Sequence, residues 1–358
     1  MFGIQRLYLI VGDKMKRALT FDDVALVPQY NNVQSRTVPN LSTYLTKTTR
    51  VEMPLIPANM DTVISVSLAE ILIEHGSFPI VHRFMTFEQK LEWINKFGSK
   101  MYLSCGAKES DVDEIFRLYE KTQDHSFRGV CLDIAHGHSE IMLRTLDWCK
   151  KKMPNVEVIA GNVCTGMAYQ DLVNAGADAV KVGIGPGAAC TTRVVTGFGV
   201  PQFTAIQECY EVAKRLRVPL IADGGIRNSR DVSLALAAGA STVMMGKLFS
   251  MTFESASPKK FVYDNEIQGD RCFSSYRGQA SEAFQKDFYG ELKKGTVAEG
   301  VSMETEITKS ANEIIDELLG GVRSAMTYGG AKNITEFQQK AEFVEVTHNY
   351  MTESRPRV

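Results

Sequence analysis

Cys190 stands in the stretch Gly183-Ile-Gly-Pro-Gly-Ala-Ala-Cys-Thr-Thr-Arg193. Glycines at 183, 185 and 187 let backbone amides and carbonyls approach a ligand or ion with no Cβ in the way. Hydroxyls follow at Thr191 and Thr192. A thiol in such a loop can act as a covalent nucleophile once its thiolate is stabilised. The bland alternative, an inert packed thiol, is the reading for Cys105, Cys131, Cys149, Cys164, Cys209 and Cys272. The 7 cysteines are an odd number with no CxxC pair. That argues against a disulfide framework or a zinc site and for free thiols in a reducing, cytoplasmic setting.

Two further segments suit phosphate. Ala222-Asp223-Gly224-Gly225 and Met245-Gly246-Lys247 each close an apolar run. Amides at Gly225 and Gly246 can hold an oxyanion with Lys247 as counter-charge. Asp223 can accept two ribose hydroxyls, because a carboxylate accepts bidentately. A nucleoside monophosphate therefore fits better than a bare sugar phosphate. Other polar residues fall just after apolar runs: Asn59 and Asp61, His82 and Arg83, Asp133, and Asn162. Singly, each reads as a helix cap or a rim charge. Together they mark one rim.

Eight short apolar runs must position these residues: 54–59, 79–83, 101–105, 129–134, 156–161, 179–183, 219–223 and 242–246. Amphipathic stretches lie between them at 67–75, 87–97, 111–121, 140–152, 203–216 and 230–238, and a late helix is predicted near 311–325. Continuous apolar strands alternating with helices indicate parallel strands buried on both faces. Eight such units predict an α/β fold, a (β/α)8 TIM barrel, with a doubly wound sheet as the alternative. The spacing predicts an active-site loop after strand 6 and a flap, 254–308, after strand 8. In such barrels chemistry gathers at the C-terminal strand ends.

The chain has 358 residues, 44% hydrophobic and 23% charged, with 40 Lys+Arg against 42 Asp+Glu. That balance carries no footprint for nucleic acid or an anionic membrane. Apolar runs fall well short of the roughly 18–20 residues that span a bilayer. Residues 1–19 read as an N-terminal arm, without the charged region or cleavage site of a signal peptide. The whole of 1–358 is expected to form one domain.

The motifs GIGPGAACTTR, VKVG, IADGGI, LDIAHGHS, AGNV and ANMDTV closely resemble the IMP dehydrogenase/GMP reductase family of purine-nucleotide barrels. The resemblance runs from Thr20 to the C-terminus. Three features resemble the GMP reductase branch. Helix 87–97 runs straight into MYLSC, leaving no room for the CBS-domain pair that dehydrogenases usually insert there. Asn59 stands where dehydrogenases usually carry another small residue. The dehydrogenase flap carries an Arg-Tyr pair whose Arg activates water, whereas no Arg lies between Gly278 and Val322, and the comparable place reads Asp287-Phe288-Tyr289. Other features look more like the dehydrogenases: Tyr276-Arg277-Gly278 and the tail Glu353-Ser-Arg-Pro356. Gln279 stands where many relatives carry Met against the purine.

The resemblance implies an NADPH-dependent reductive deamination of GMP to IMP and ammonia through a thioimidate on Cys190. It implies that Thr192 and Glu299 relay protons, and that Tyr276, Gly278 and Gln279 join Asp223, Gly224, Gly225, Gly246 and Lys247 around the nucleotide. Asp133, Asn162, Arg83 and Gly183 would face the nicotinamide cofactor, although Arg83 also reads as a rim ion pair. A monovalent cation such as K⁺ on backbone carbonyls of Gly185, Gly187 and Cys190, and a homotetramer, are implied in the same way. His136 and His138, two apart without a third ligand, are not read as a metal site. The alternatives are an IMP dehydrogenase without CBS domains, which would convert IMP to XMP with NAD, and a catalytically silent purine-nucleotide-binding barrel.

Overall fold

The computed structural model describes residues 15–122, 127–292, 294–354 and 356. Most of the expected N-terminal arm, residues 1–14, lies outside the described residues.

The eight apolar runs become strands β1 (Leu55–Pro57), β2 (Ile80–Val81), β3 (Tyr102–Cys105), β4 (Gly129–Asp133), β5 (Glu157–Val163), β6 (Ala179–Val182), β7 (Leu220–Asp223) and β8 (Thr242–Met245). They form one parallel sheet in the order β2-β3-β4-β5-β6-β7-β8-β1. Among the described residues no ladder joins β1 to β2, so the sheet is a nearly closed barrel. Helices α1 (Val66–Glu74), α2 (Phe87–Phe97), α3 (Glu109–Lys121), α4 (Glu140–Lys152), α5 (Gly166–Asn174), α6 (Gln202–Leu216), α7 (Ser229–Ala237) and α8 (Ala311–Tyr328) follow the strands in turn. This is the (β/α)8 architecture expected from the alternation.

Local chemistry starts most of these helices. The side chains of Ser65, Ser139, Thr165 and Asn228 each accept an N–H of the first turn, and Thr86 and Ser310 form capping boxes with Gln89 and Glu313. Such caps satisfy amides that the helix itself leaves unpaired.

The register of the strands decides what faces inward. Ile56, Ile80, Tyr102, Cys131, Ile159, Ala179, Ile221 and Met244 form a buried cluster inside the barrel. Leu45 and Val51, from the small hairpin of Thr43–Tyr44 and Arg50–Val51, join it and close the N-terminal end of the barrel. Side chains two residues apart along a strand share a face. Within the strands the layer above the apolar ring is therefore Ser104, Asp133, Gly161, Lys181 and Asp223, with Ala58, His82 and Gly246 just past the ends of β1, β2 and β8. It is polar or without a large side chain, and it lies at the C-terminal strand ends.

The described residues of the polar segment 254–308 contain regular structure of their own. Strands β9 (Lys259–Asp264), β10 (Gly269–Arg277) and β11 (Ser302–Ile307) make an antiparallel sheet, and a helix spans Glu282–Tyr289. Val24–Leu26 pairs antiparallel with Phe343–Glu345, tying together segments near both ends of the chain. α2 is followed by one 3-10 turn, Gly98–Lys100, and then β3, so no domain intervenes.

Candidate active site

A cavity of about 440 Å³ opens over the C-terminal strand ends. Every residue expected to touch substrate, cofactor or cation lines it, from Arg83 and Asp133 to Gln279 and Glu299. The structure brings them together; His136 and His138 lie elsewhere, with His138 paired to Asp171 at 2.9 Å.

Gly183 begins the thiol loop at φ +150, and a Cβ there would lie 2.1 Å from the Asp223 carbonyl oxygen, so only glycine fits. Arg193 then holds the loop by donating to the carbonyls of Ile184 (3.2 Å) and Val200 (2.5 Å). Cys190 is half-buried, and its thiol donates to Thr192 Oγ1 at 3.2 Å. Burial pushes the thiols of Cys105, Cys131, Cys149, Cys164 and Cys209 up, Cys149 to about 12. Raised thiols of this kind favour the protonated, less reactive form.

The flap is hydrogen-bonded to this loop. Thr191 N–H donates to the Glu299 carbonyl at 3.0 Å, and Val301 N–H donates to the Ala189 carbonyl at 2.9 Å. The backbone of Glu299 is thereby fixed beside Thr191, and Glu299 lines the same cavity as Cys190 and Thr192. Tyr276 and Gln279 enter from the end of β10. Gln279 donates to the Asn59 carbonyl at 2.8 Å, and a Cβ on Gly246 would lie 2.3 Å from the Tyr276 hydroxyl. Gly224 and Gly225 both take positive φ (+89 and +82), and Lys247 makes no ion pair among the described residues. The Gly224 N–H is already spent on the Met244 carbonyl (3.2 Å), so a phosphate here would be met by the Lys247 ammonium and the amides of Gly225 and Gly246.

The floor of the cavity holds a residue outside the motifs that the sequence singles out. Lys181, 2% exposed, lies 3.0 Å from Asp133 Oδ1 and 2.8 Å from Asp223 Oδ2. Burial alone would lower the Lys181 pKa, but the two carboxylates outweigh it and hold the ammonium above its ordinary range. Burial would raise Asp133. The Lys181 ammonium and the Asn59 amide (2.8 Å) overcome that and hold it below the usual carboxylate range. The signal was present in Ala179-Val-Lys-Val182, a lone lysine within an apolar strand. A charge buried at such a position needs partners, and two strand-end aspartates were the candidates.

These bonds also define what the site leaves open. Asp223 Oδ2 already accepts from Lys181 and from Asn162 Nδ2 (2.9 Å), so one oxygen, and not the two expected from bidentate acceptance, is left open to a ligand. Asn162 also donates to the Gly183 carbonyl at 2.8 Å, and its Oδ1 is buried with no hydrogen-bond partner. An orphan acceptor in a cavity wall fits a ligand that brings an N–H, such as a carboxamide. Arg83 has both expected characters: it lines the cavity, and it lies 3.8 Å from Asp111. Burial pushes His82 down to about 4, with Lys90 adding to the effect and Asp61 opposing it, so its imidazole is neutral near pH 7.

Fold and site define a (β/α)8 barrel with a thiol loop, a phosphate-suited rim and a flap over one cavity. Residues 18–357 match the family model described as the IMP dehydrogenase / GMP reductase domain, and the chain belongs to that family. It is 37% identical to an inosine-5'-monophosphate dehydrogenase of Cryptosporidium parvum, over 94% of both chains. It is 35% identical to that of Borreliella burgdorferi, over 95% of this chain and 97% of the relative. Among solved structures it resembles a cysteine-to-alanine variant of a GMP reductase from Trypanosoma brucei in complex with guanosine 5'-monophosphate. That match has a TM-score of 0.88 and 25% identity, covering 96% of this chain and 98% of the other. The family is one of oxidoreductases that use a nicotinamide cofactor. Dehydrogenases of comparable length therefore exist, and the missing CBS length does not separate the two branches.

Proposed function

We propose that the protein is a GMP reductase, converting GMP to IMP and ammonia with NADPH. One observation supports this over dehydrogenation: the flap segment against Cys190 presents Glu299, and no arginine lies between Gly278 and Val322. A dehydrogenase must hydrolyse its covalent intermediate and so must activate water at this place. A reductase must instead protonate a departing amine, which a carboxyl-hydroxyl pair can do.

Cys190 Sγ attacks C2 of the guanine. The C–N bond to the 2-amino group breaks, and ammonia leaves with a proton passed through Thr192 and Glu299, because amide anion is far too poor a leaving group. The purine is then held on sulfur as a thioimidate. A nicotinamide cofactor, when bound, supplies the hydride for C2. The C–S bond breaks, the electron pair returns to sulfur, and IMP is released. Overall, GMP, NADPH and two protons give IMP, NADP⁺ and ammonium. Lys181 fixes Asp223 toward the ribose and Asp133 toward the cofactor side, and Asn162 Oδ1 is the acceptor for a carboxamide. Neutral carbonyl oxygens at Gly185, Gly187 and Cys190 suit K⁺, and no step depends on it. The protein is further proposed to be a cytoplasmic homotetramer.

Absorbance at 340 nm distinguishes the branches: GMP with NADPH should lose absorbance, and IMP with NAD⁺ should gain none. NADH formation from IMP with no NADPH loss from GMP overturns the proposal. Binding of GMP that survives Cys190→Ala, with no turnover in either protein, would indicate the silent barrel.

A further inference from the structure

Arg277 ends β10 at the base of the flap, and its guanidinium faces two carboxylates from different parts of the chain. Nε and an Nη donate to Asp61 Oδ2 at 3.0 and 2.7 Å, on the loop after β1. The other Nη donates to Asp287, on the flap helix Glu282–Tyr289. The guanidinium carbon also lies 5.2 Å from the centre of the Phe284 ring on the same helix. That helix packs on the barrel through Phe284 and Phe288, whose rings lie 4.5 and 5.0 Å from Phe84 just after β2. The guanidinium therefore joins the barrel rim to the flap at one point, with three of its donors in use.

The backbone carries this anchorage to the thiol in two short steps. Gly278 N–H, next to Arg277, donates to the Val301 carbonyl at 3.1 Å, and Glu299 N–H donates to the Ala280 carbonyl at 3.0 Å. Segment 299–301 is in turn the one that pairs with Ala189 and Thr191 on either side of Cys190. Segment 277–281 is thus tied to Glu299, and Glu299 to the residues flanking Cys190, by direct backbone hydrogen bonds.

We propose that Arg277 is a positioning residue: by bridging Asp61 and Asp287 it holds the flap shut, and so holds Glu299 on Cys190. Its catalytic consequence rests on the reading of Glu299 as the proton relay; its mechanical part does not. The bridge is partly buried, with the Arg277 and Asp61 side chains 21% and 16% exposed. The Asp287 side chain is 67% exposed, so the arm to the flap helix is the weaker, salt-screened one.

The test combines Arg277→Met, Arg277→Lys, Asp61→Asn and Asp287→Asn with two readouts. One is kcat and KM for GMP with NADPH. The other is the rate at which iodoacetamide alkylates Cys190, followed by mass spectrometry of the peptide. Arg277→Met is expected to lower kcat about 10- to 100-fold with KM changed less than about 3-fold, and to speed alkylation at least about 5-fold. Arg277→Lys should recover part of both effects. Asp61→Asn should repeat the Arg277→Met result without removing the guanidinium, and Asp287→Asn should give a smaller loss that roughly 0.5 M salt imitates in the parent protein. The double variant Arg277→Met/Asp61→Asn should be no worse than either single change. Alkylation at the parent rate in Arg277→Met and Asp61→Asn overturns the proposal. So does a rise in KM with kcat unchanged, which would place Arg277 on the substrate. Faster alkylation in protein that turns over IMP and NAD⁺ but not GMP would uphold the latch and overturn the reductase reading.

Discussion

Replacing Lys181 by Met removes the ammonium between Asp133 and Asp223 and changes little else in shape. Both carboxylates keep neutral donors, Asn59 for Asp133 and Asn162 for Asp223. Taking one partner from a buried ionic group typically costs about 3–5 kcal/mol, because the remaining charge is left uncompensated. For a chain of 358 residues the unfolding entropy is about 0.75 kcal/mol/K, so the expected fall in Tm is about 4–7 °C. The pH dependence tests the mechanism. In the parent protein Asp133 is held below its ordinary range, so its contribution is present above about pH 4 and lost as pH falls through its folded pKa. Lys181 is held high, so its contribution is present below about pH 10 and lost as pH rises through its folded value. Between about pH 5 and 8 this cluster therefore leaves the parent's stability flat. In Lys181→Met one of the facing carboxyls must take up a proton on folding, so the deficit should shrink by about 1–2 kcal/mol from about pH 8 to pH 5. Denaturant unfolding and calorimetry across that range measure it. A deficit below about 1 kcal/mol, or one independent of pH, would refute the reasoning that the lysine neutralises two buried charges.

Glu299→Gln keeps the backbone pairing with Thr191 and removes the carboxyl, so kcat for GMP should fall about 10²- to 10⁴-fold with nucleotide binding retained; titration calorimetry and 340 nm absorbance measure the two parts. His82 has a folded pKa lowered from 6.5 to about 4, so its neutral burial removes stability as pH falls from 6.5 toward 4. His82→Gln should flatten that slope in thermal scans, and an unchanged slope would place the acid sensitivity elsewhere. Gly183→Ala should destabilise by about 1–3 kcal/mol or more, since strained φ and a carbonyl clash add. Gly197→Ala, at φ +75 with open space around the new Cβ, should cost less, and equal denaturant midpoints would count against the clash.

The barrel was legible because parallel strands buried on both faces read as continuous apolar runs, and most of these runs end in a polar residue or glycine that an interior strand would not favour. The apolar run is longer than the strand it marks: 79–83 forms a ladder only at Ile80–Val81. His82 and Arg83 have left the sheet for the rim. Lys181 was missed for the opposite reason. It sits inside a strand rather than after one, and its meaning depends on register, which places it on the same inward layer as Asp133 and Asp223. The flap sheet was hidden because β10 buries Cys272, Ser274 and Tyr276 on alternate positions, mixing a hydroxyl into its apolar face. The antiparallel pair Val24–Leu26 and Phe343–Glu345 has three residues a side, too few for any periodicity to register. Arg277 carries no role in the sequence, standing only within Tyr276-Arg277-Gly278 beside residues expected at the nucleotide. Only the folded chain brings Asp61 and Asp287 to it.

On the proposed mechanism Cys190 expels the 2-amino group of GMP and hydride from NADPH takes its place at C2. The most direct test uses GMP labelled with ¹⁵N at that amino group, with NADPH oxidation and labelled ammonia followed together. One labelled ammonia and one IMP are expected for each NADPH consumed, and neither from Cys190→Ala. Production of XMP and NADH from IMP and NAD⁺, with no labelled ammonia from GMP, would contradict it.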